Sequence, residues 1–149
     1  MNNKRKVVLR KFRALPLRDK WLFITAIVLG HIIKKALKKY SYNTVVAFLK
    51  KHVPQVNRND ITNDELNRYQ YLIILTNKCR PGFKINCLDI SLAYWFLLKR
   101  KGLKTNMQFG VKKLNGEFKS HAWLEFEGRL LTLDDNVTEK YTPLPKPML

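Results

Sequence analysis

Between Asn86 and Gly102 the chain has almost no polar face. Leu88, Ile90, Leu92, Ala93, Tyr94, Trp95, Phe96, Leu97 and Leu98 crowd one helix-length segment. A helix that is apolar nearly all round must be enclosed by other elements. The segment therefore predicts a central helix over 86–101, ended by Gly102, with the rest of the chain wrapped about it. Asn86 suits the N-cap, and Asp89 three residues on suits a capping-box pairing.

The chain supplies the material for such a wrapping. It has 149 residues, 46% of them hydrophobic, which excludes a disordered tail and leaves room for a real core. One domain over 1–149 is expected, with a basic helical part at 1–60 and a core at 61–149. Residues 1–16 read as a basic arm ending at Pro16, and 17–39 as a helix. Residues 43–52 read as a short helix stopped by Pro54. Thr62-x-x-Glu65 marks the start of another, running to about Asn77 and burying Leu66, Tyr69, Leu72 and Ile73. Lys78–Gly82 is a breaker.

After Gly102 the period changes to two. Met107, Phe109 and Val111 alternate, and Asn115-Gly116 signals a hairpin. Phe118, Ser120, Ala122, Leu124 and Phe126 share one face; Lys119, His121, Trp123 and Glu125 share the other. Glu127-Gly128 is a second turn, followed by a third strand over Arg129–Asp135. Helices followed by an antiparallel meander make the chain α+β.

The net charge of +18 is concentrated early. Residues 1–51 hold fourteen basic residues against Asp19 alone, a net of +13. Such a block suggests an acidic partner: nucleic acid, anionic lipid or an acidic protein surface. Trp21–Ile33 is uncharged but short of the ~20 residues of a membrane span. It is a buried core helix or an interfacial helix held on anionic lipid by its basic flanks. The two cysteines, Cys79 and Cys87, make no disulfide scaffold or zinc site, and no secretory signal is evident. A cytoplasmic location is expected, with contact at the inner membrane face an option.

Cys87 falls in the first turn of the central helix, where free N–H groups favour a thiolate. The charge of Asp89 opposes that. If Glu127-Gly128 is a two-residue loop, Phe126 faces Arg129 and facing residue numbers sum to 255. His121 then faces Asp134, with Cβ atoms about 4.5–5.5 Å apart. A carboxylate there holds one imidazole nitrogen and leaves the other to take a proton from a thiol, the logic of a Cys-His-Asp triad. A bulge would bring Leu133 or Asp135 opposite instead. Trp123 walls the cleft as a substrate-binding residue or packs. Cys79 lies in a loop before the site, lining the cleft or simply structural. His31 reads as a core or interface histidine, His52 as solvated.

The run Cys87-Leu-Asp-Ile-Ser-Leu-Ala93, then Phe109-Gly-Val111, His121-Ala-Trp-Leu-Glu125 and Tyr141-Thr-Pro-Leu144, resembles the protease half of the lasso-peptide B proteins. These are transglutaminase-like leader peptidases, and the resemblance covers roughly residues 80–144. It implies a transglutaminase/papain-like cysteine-peptidase fold, with Cys87, His121 and an acid as catalytic residues. The family's acid stands one residue nearer the His, where this chain has Leu133. Asp134 is preferred on the facing-pair argument, with Asp135 the alternative. The resemblance implies removal of the leader from a ribosomally made, post-translationally modified antibiotic-type precursor, usually after a threonine in the leader's next-to-last position. It also implies an asparagine-synthetase-like lasso cyclase and a leader-recognition element, fused or separate in the family; with no strand-rich segment read in residues 1–60, a separate element is expected. The cyclase uses ATP; this chain is expected to need no cofactor or metal and to bind no nucleic acid. A transglutaminase-like acyl transferase, or a non-catalytic basic nucleic-acid or membrane module, is the competing reading.

Overall fold

The structure, a computed structural model, describes residues 3–56, 58, 60–79, 82–131 and 140–145. The enclosed segment is helix α5 (Cys87–Arg100), buried from Asp89 through Trp95. Helix α2 (Leu17–Lys39) packs on one side of it, and strands β1 (Thr105–Leu114) and β2 (Glu117–Phe126) on another. Helices α3 (Tyr42–Lys51) and α4 (Asn63–Cys79) complete the surround. In the core, the hydroxyls of Thr76 on α4 and Tyr94 on α5 meet at 2.7 Å. At the head of α2, buried Asp19 lies 3.4 Å from the guanidinium of Arg68 on α4.

Two expectations need correction. The stretch read as a basic arm contains helix α1 (Asn3–Arg13). Val8 and Phe12, one turn apart, pack on the core, and Phe12 meets Phe23 with ring centroids 5.1 Å apart. That apolar pair outweighs the charge around it. Helix α4 runs through Cys79, so Cys79 belongs to a helix end and not to a loop. The start of the expected third strand forms: β3 is Arg129–Leu130, and Leu131 donates its N–H to the Leu124 carbonyl at 2.8 Å. The rest of the expected strand, including Asp134 and Asp135, lies outside the described residues.

The sheet is antiparallel in the order β3-β2-β1-β4, where β4 is Thr142–Pro143. Both hairpins turn on two residues of positive φ, Asn115 (51°) with Gly116 (84°), and Glu127 (48°) with Gly128 (80°). That pairing of signs matches the right-handed twist of the strands and sets their register. Phe126 faces Arg129 and Glu125 faces Leu130, as a two-residue loop requires. Met107, Phe109, Leu124 and Phe126 pack with the helices.

Arg58 links two distant turns. Its N–H donates to the Gly102 carbonyl at 3.0 Å, and its guanidinium grips Glu65 at 2.9 and 3.1 Å. Thr62 Oγ1 accepts from the Glu65 N–H at 3.2 Å, so half of the expected capping box forms. The Glu65 carboxylate turns instead to Arg58 and to the Tyr69 hydroxyl. The Arg58 hydrogen bond is the main cause of a Glu65 carboxyl held below its usual 4.5. A lowered folded value favours the folded state while Glu65 is ionised. This stabilisation is full above the unfolded value and is lost as pH falls through the folded one. Arg58→Ala should therefore lower the melting temperature at pH 7 and differ progressively less from wild type below about pH 4. A gap between the two melting curves that stays constant from pH 7 to about pH 3 would contradict this coupling.

Candidate active site

Cys87 is the first residue of α5 and is half-buried. The first N–H groups of a helix have no partner within it, so the Cys87 N–H is an available donor. Asp89 closes the turn by accepting from the Asn86 N–H at 2.9 Å. Burial pushes the Asp89 carboxyl above its usual 3.8; the Asn86 N–H, Lys34 and His31 pull the other way. These last two sit on α2, so the start of α5 faces a basic stretch of that helix. Lys34 also donates to the Lys84 carbonyl, which ties α2 to the turn before Cys87.

Cys79, the other thiol, is pushed up to about 11 by burial. A thiol so far above neutrality is a poor nucleophile.

His121 lies on β2 opposite Gly110 of β1. Its ring is flanked by two aromatic rings. Trp123 stacks at 6.2 Å with 21° between planes, and Tyr141 lies at 5.4 Å and 32°. Trp123 is 1% exposed. Its indole N–H donates to Glu125 at 3.0 Å, and the other Glu125 oxygen accepts from Gln108 at 3.4 Å. So Trp123 backs His121 from inside the fold rather than lining an open cleft.

Gly110 makes this arrangement fit. A Cβ there would stand 2.8 Å from Trp123 and 2.8 Å from the Cβ of Tyr141. Tyr141 arrives through β4, whose Thr142 and Pro143 pair with Val111 and Gly110. The partnerships of Tyr141, Glu125 and Gln108 with the histidine's neighbourhood were not legible in the sequence. The glycine inside a strand was the available sign, since it often marks close approach of another group.

One buried hydrogen bond joins the cysteine's helix to the histidine's strand. Ser91, one turn along α5 from Cys87, donates its hydroxyl to the Ala122 carbonyl at 3.1 Å. Ala122 is the residue after His121. A family model described as the transglutaminase-like superfamily matches residues 38–146. The chain belongs to the transglutaminase-like superfamily. No curated protein and no solved structure shows a significant match to it.

For this transglutaminase-like chain the α+β, papain-like architecture is the expected one, with a cysteine-bearing helix packed on an antiparallel sheet. The chemistry of the superfamily is generally cysteine-peptidase or acyl-transfer in type. Of the sequence-derived residues, the structure brings the helix of Cys87 to the strand of His121 and seats Trp123 beside His121. Asp134 and Asp135 lie outside the described residues. His31 is half-buried near Asp89. His52 is exposed, with Nδ1 2.8 Å from the Phe48 carbonyl. A cavity of about 660 Å³ lies away from Cys87 and His121, between Arg18, Arg58, Arg68 and Lys101. Among the described residues no cluster of His, Cys, Asp and Glu has metal-ligand geometry.

Proposed function

We propose that this protein is a cysteine peptidase that removes the leader from a lasso-peptide precursor. The observation that carries the reading is the Ser91–Ala122 bond. Ser91 belongs to the Cys-Leu-x-x-Ser-Leu-Ala motif and Ala122 to the His-Ala-Trp motif. The two motifs that resemble the lasso B proteases thus meet through their own residues.

In this reading the Cys87 sulfur attacks the scissile carbonyl while His121 takes the thiol proton. The oxyanion is met by the Cys87 N–H at the head of α5. Collapse forms the thioester and breaks the C–N bond, and His121 protonates the departing core amine. Water, deprotonated by His121, then attacks the thioester. The leader leaves as a carboxylic acid and the thiol is restored. Asp134 orients His121, with Asp135 the alternative. No cofactor or metal takes part. The freed core passes to an ATP-using, asparagine-synthetase-like cyclase, and a separate recognition element presents the leader. Nucleic acid has no role.

Mass spectrometry of the products tests the reaction type. Protein mixed with its precursor and recognition element should give two peptides, one a free leader acid. A leader joined to an added amine would establish acyl transfer in place of hydrolysis.

A further inference from the structure

Helix α2 has two apolar sides. Phe23, Ala26, Ile27 and Ile33 are buried. Leu17, Trp21, Ile24, Val28 and Ile32 are exposed, and their spacings of three and four place them in one line. At 1.5 Å per residue the line runs about 22 Å. The same line continues into Lys35 and Lys39, both exposed. An apolar strip of this extent on a protein surface ordinarily marks an interaction site.

We propose that this face of α2 seats the protein on an anionic lipid bilayer. Charge selects the occupant. The first 51 residues carry a net of +13, so a second copy docking here would meet strong repulsion. Helix α1, joined to α2 through Pro16, brings Arg10, Lys11 and Arg13 in its last turn. The matching negative charge must therefore extend along the whole length of α2 and beyond its start. A plane of headgroups supplies such a field, and it accepts a convex row of side chains without needing a groove. The apolar row enters the headgroup–acyl boundary while lysines engage phosphates at its end. Tryptophan favours that boundary, being apolar with one polar edge. No described helix is long and apolar enough to cross a membrane, so α2 would lie along the surface.

Three tryptophans make the test direct. Trp95 and Trp123 are 2% and 1% exposed, while Trp21 is 65% exposed. A change in emission on adding vesicles thus reports Trp21. The full chain, at low salt, is mixed with vesicles of phosphatidylcholine alone or with an equal part of phosphatidylglycerol. Binding by sedimentation and a blue shift are expected with phosphatidylglycerol and not with phosphatidylcholine alone. Lys35→Gln/Lys39→Gln should weaken binding about tenfold or more. Val28→Asn/Ile32→Asn should weaken it about tenfold and reduce the blue shift. These side chains face solvent, so the melting temperature of each variant should match wild type. Failure of wild type to bind phosphatidylglycerol vesicles would overturn the proposal. So would full binding by Val28→Asn/Ile32→Asn, which means adsorption by charge alone. Capture of an acidic protein through the same row, with no vesicle binding, would replace the bilayer with a protein partner.

Discussion

Replacing Cys87 with alanine should lower leader release on the order of 10⁵-fold, because the nucleophile and its base act as a unit and the loss of one disables the other. The fold should survive. Cys87 sits at the half-buried end of α5, while the capping contact there uses Asp89 and the Asn86 N–H. Circular dichroism and a melting temperature close to wild type would separate chemical loss from unfolding. A Cys87→Ala protein that still releases leader at a comparable rate would remove Cys87 from the mechanism.

The second large effect is expected at Gly110, which is remote in sequence from both thiols. In Gly110→Ala the new methyl meets Trp123 and the Tyr141 Cβ, each at 2.8 Å. Neither neighbour yields easily. Trp123 is held by Glu125, and the Tyr141 Cβ is set by the β4 pairing with Val111 and Gly110. Overpacking of this kind costs about 1–3 kcal/mol. The melting temperature should fall by roughly 5 °C. His121 lies against both displaced rings, so leader release should fall more than the stability change alone explains, on the order of tenfold. Unchanged melting and unchanged release together would mean that the rings flanking His121 have no part in holding it.

The contrast between Gly110 and α5 shows what the sequence made legible. Helix α5 was readable because a segment apolar on every side has only one place to go. The hairpins were readable because Asn-Gly and a second Gly-containing pair demand a turn of one kind, and the turn sets the register. Both signals are local. Tyr141 beside His121 was not readable, since it depends on β4 returning to pair with β1 across a long stretch of chain. Helix α1 was hidden for another reason. Its charge suggested an arm, while the decisive Val8 and Phe12 were two of four apolar residues set among six bases. The proposal of Asp134 as third residue rests on the 255 register, which holds at Phe126–Arg129 and Glu125–Leu130. Asp134 itself lies beyond the described residues. Asp134→Asn and Asp135→Asn, compared for their effect on the pH profile of leader release, would assign the third position: the orienting acid is the one whose loss mimics loss of His121.

In the proposed mechanism Cys87 carries the leader as a thioester during turnover. Protein mixed with precursor and recognition element can be quenched in acid, digested and mapped by mass spectrometry. The predicted result is the leader's acyl group on the peptide that contains Cys87, with Cys79 unmodified. An acyl group found on Cys79, or on any residue other than Cys87, would contradict it.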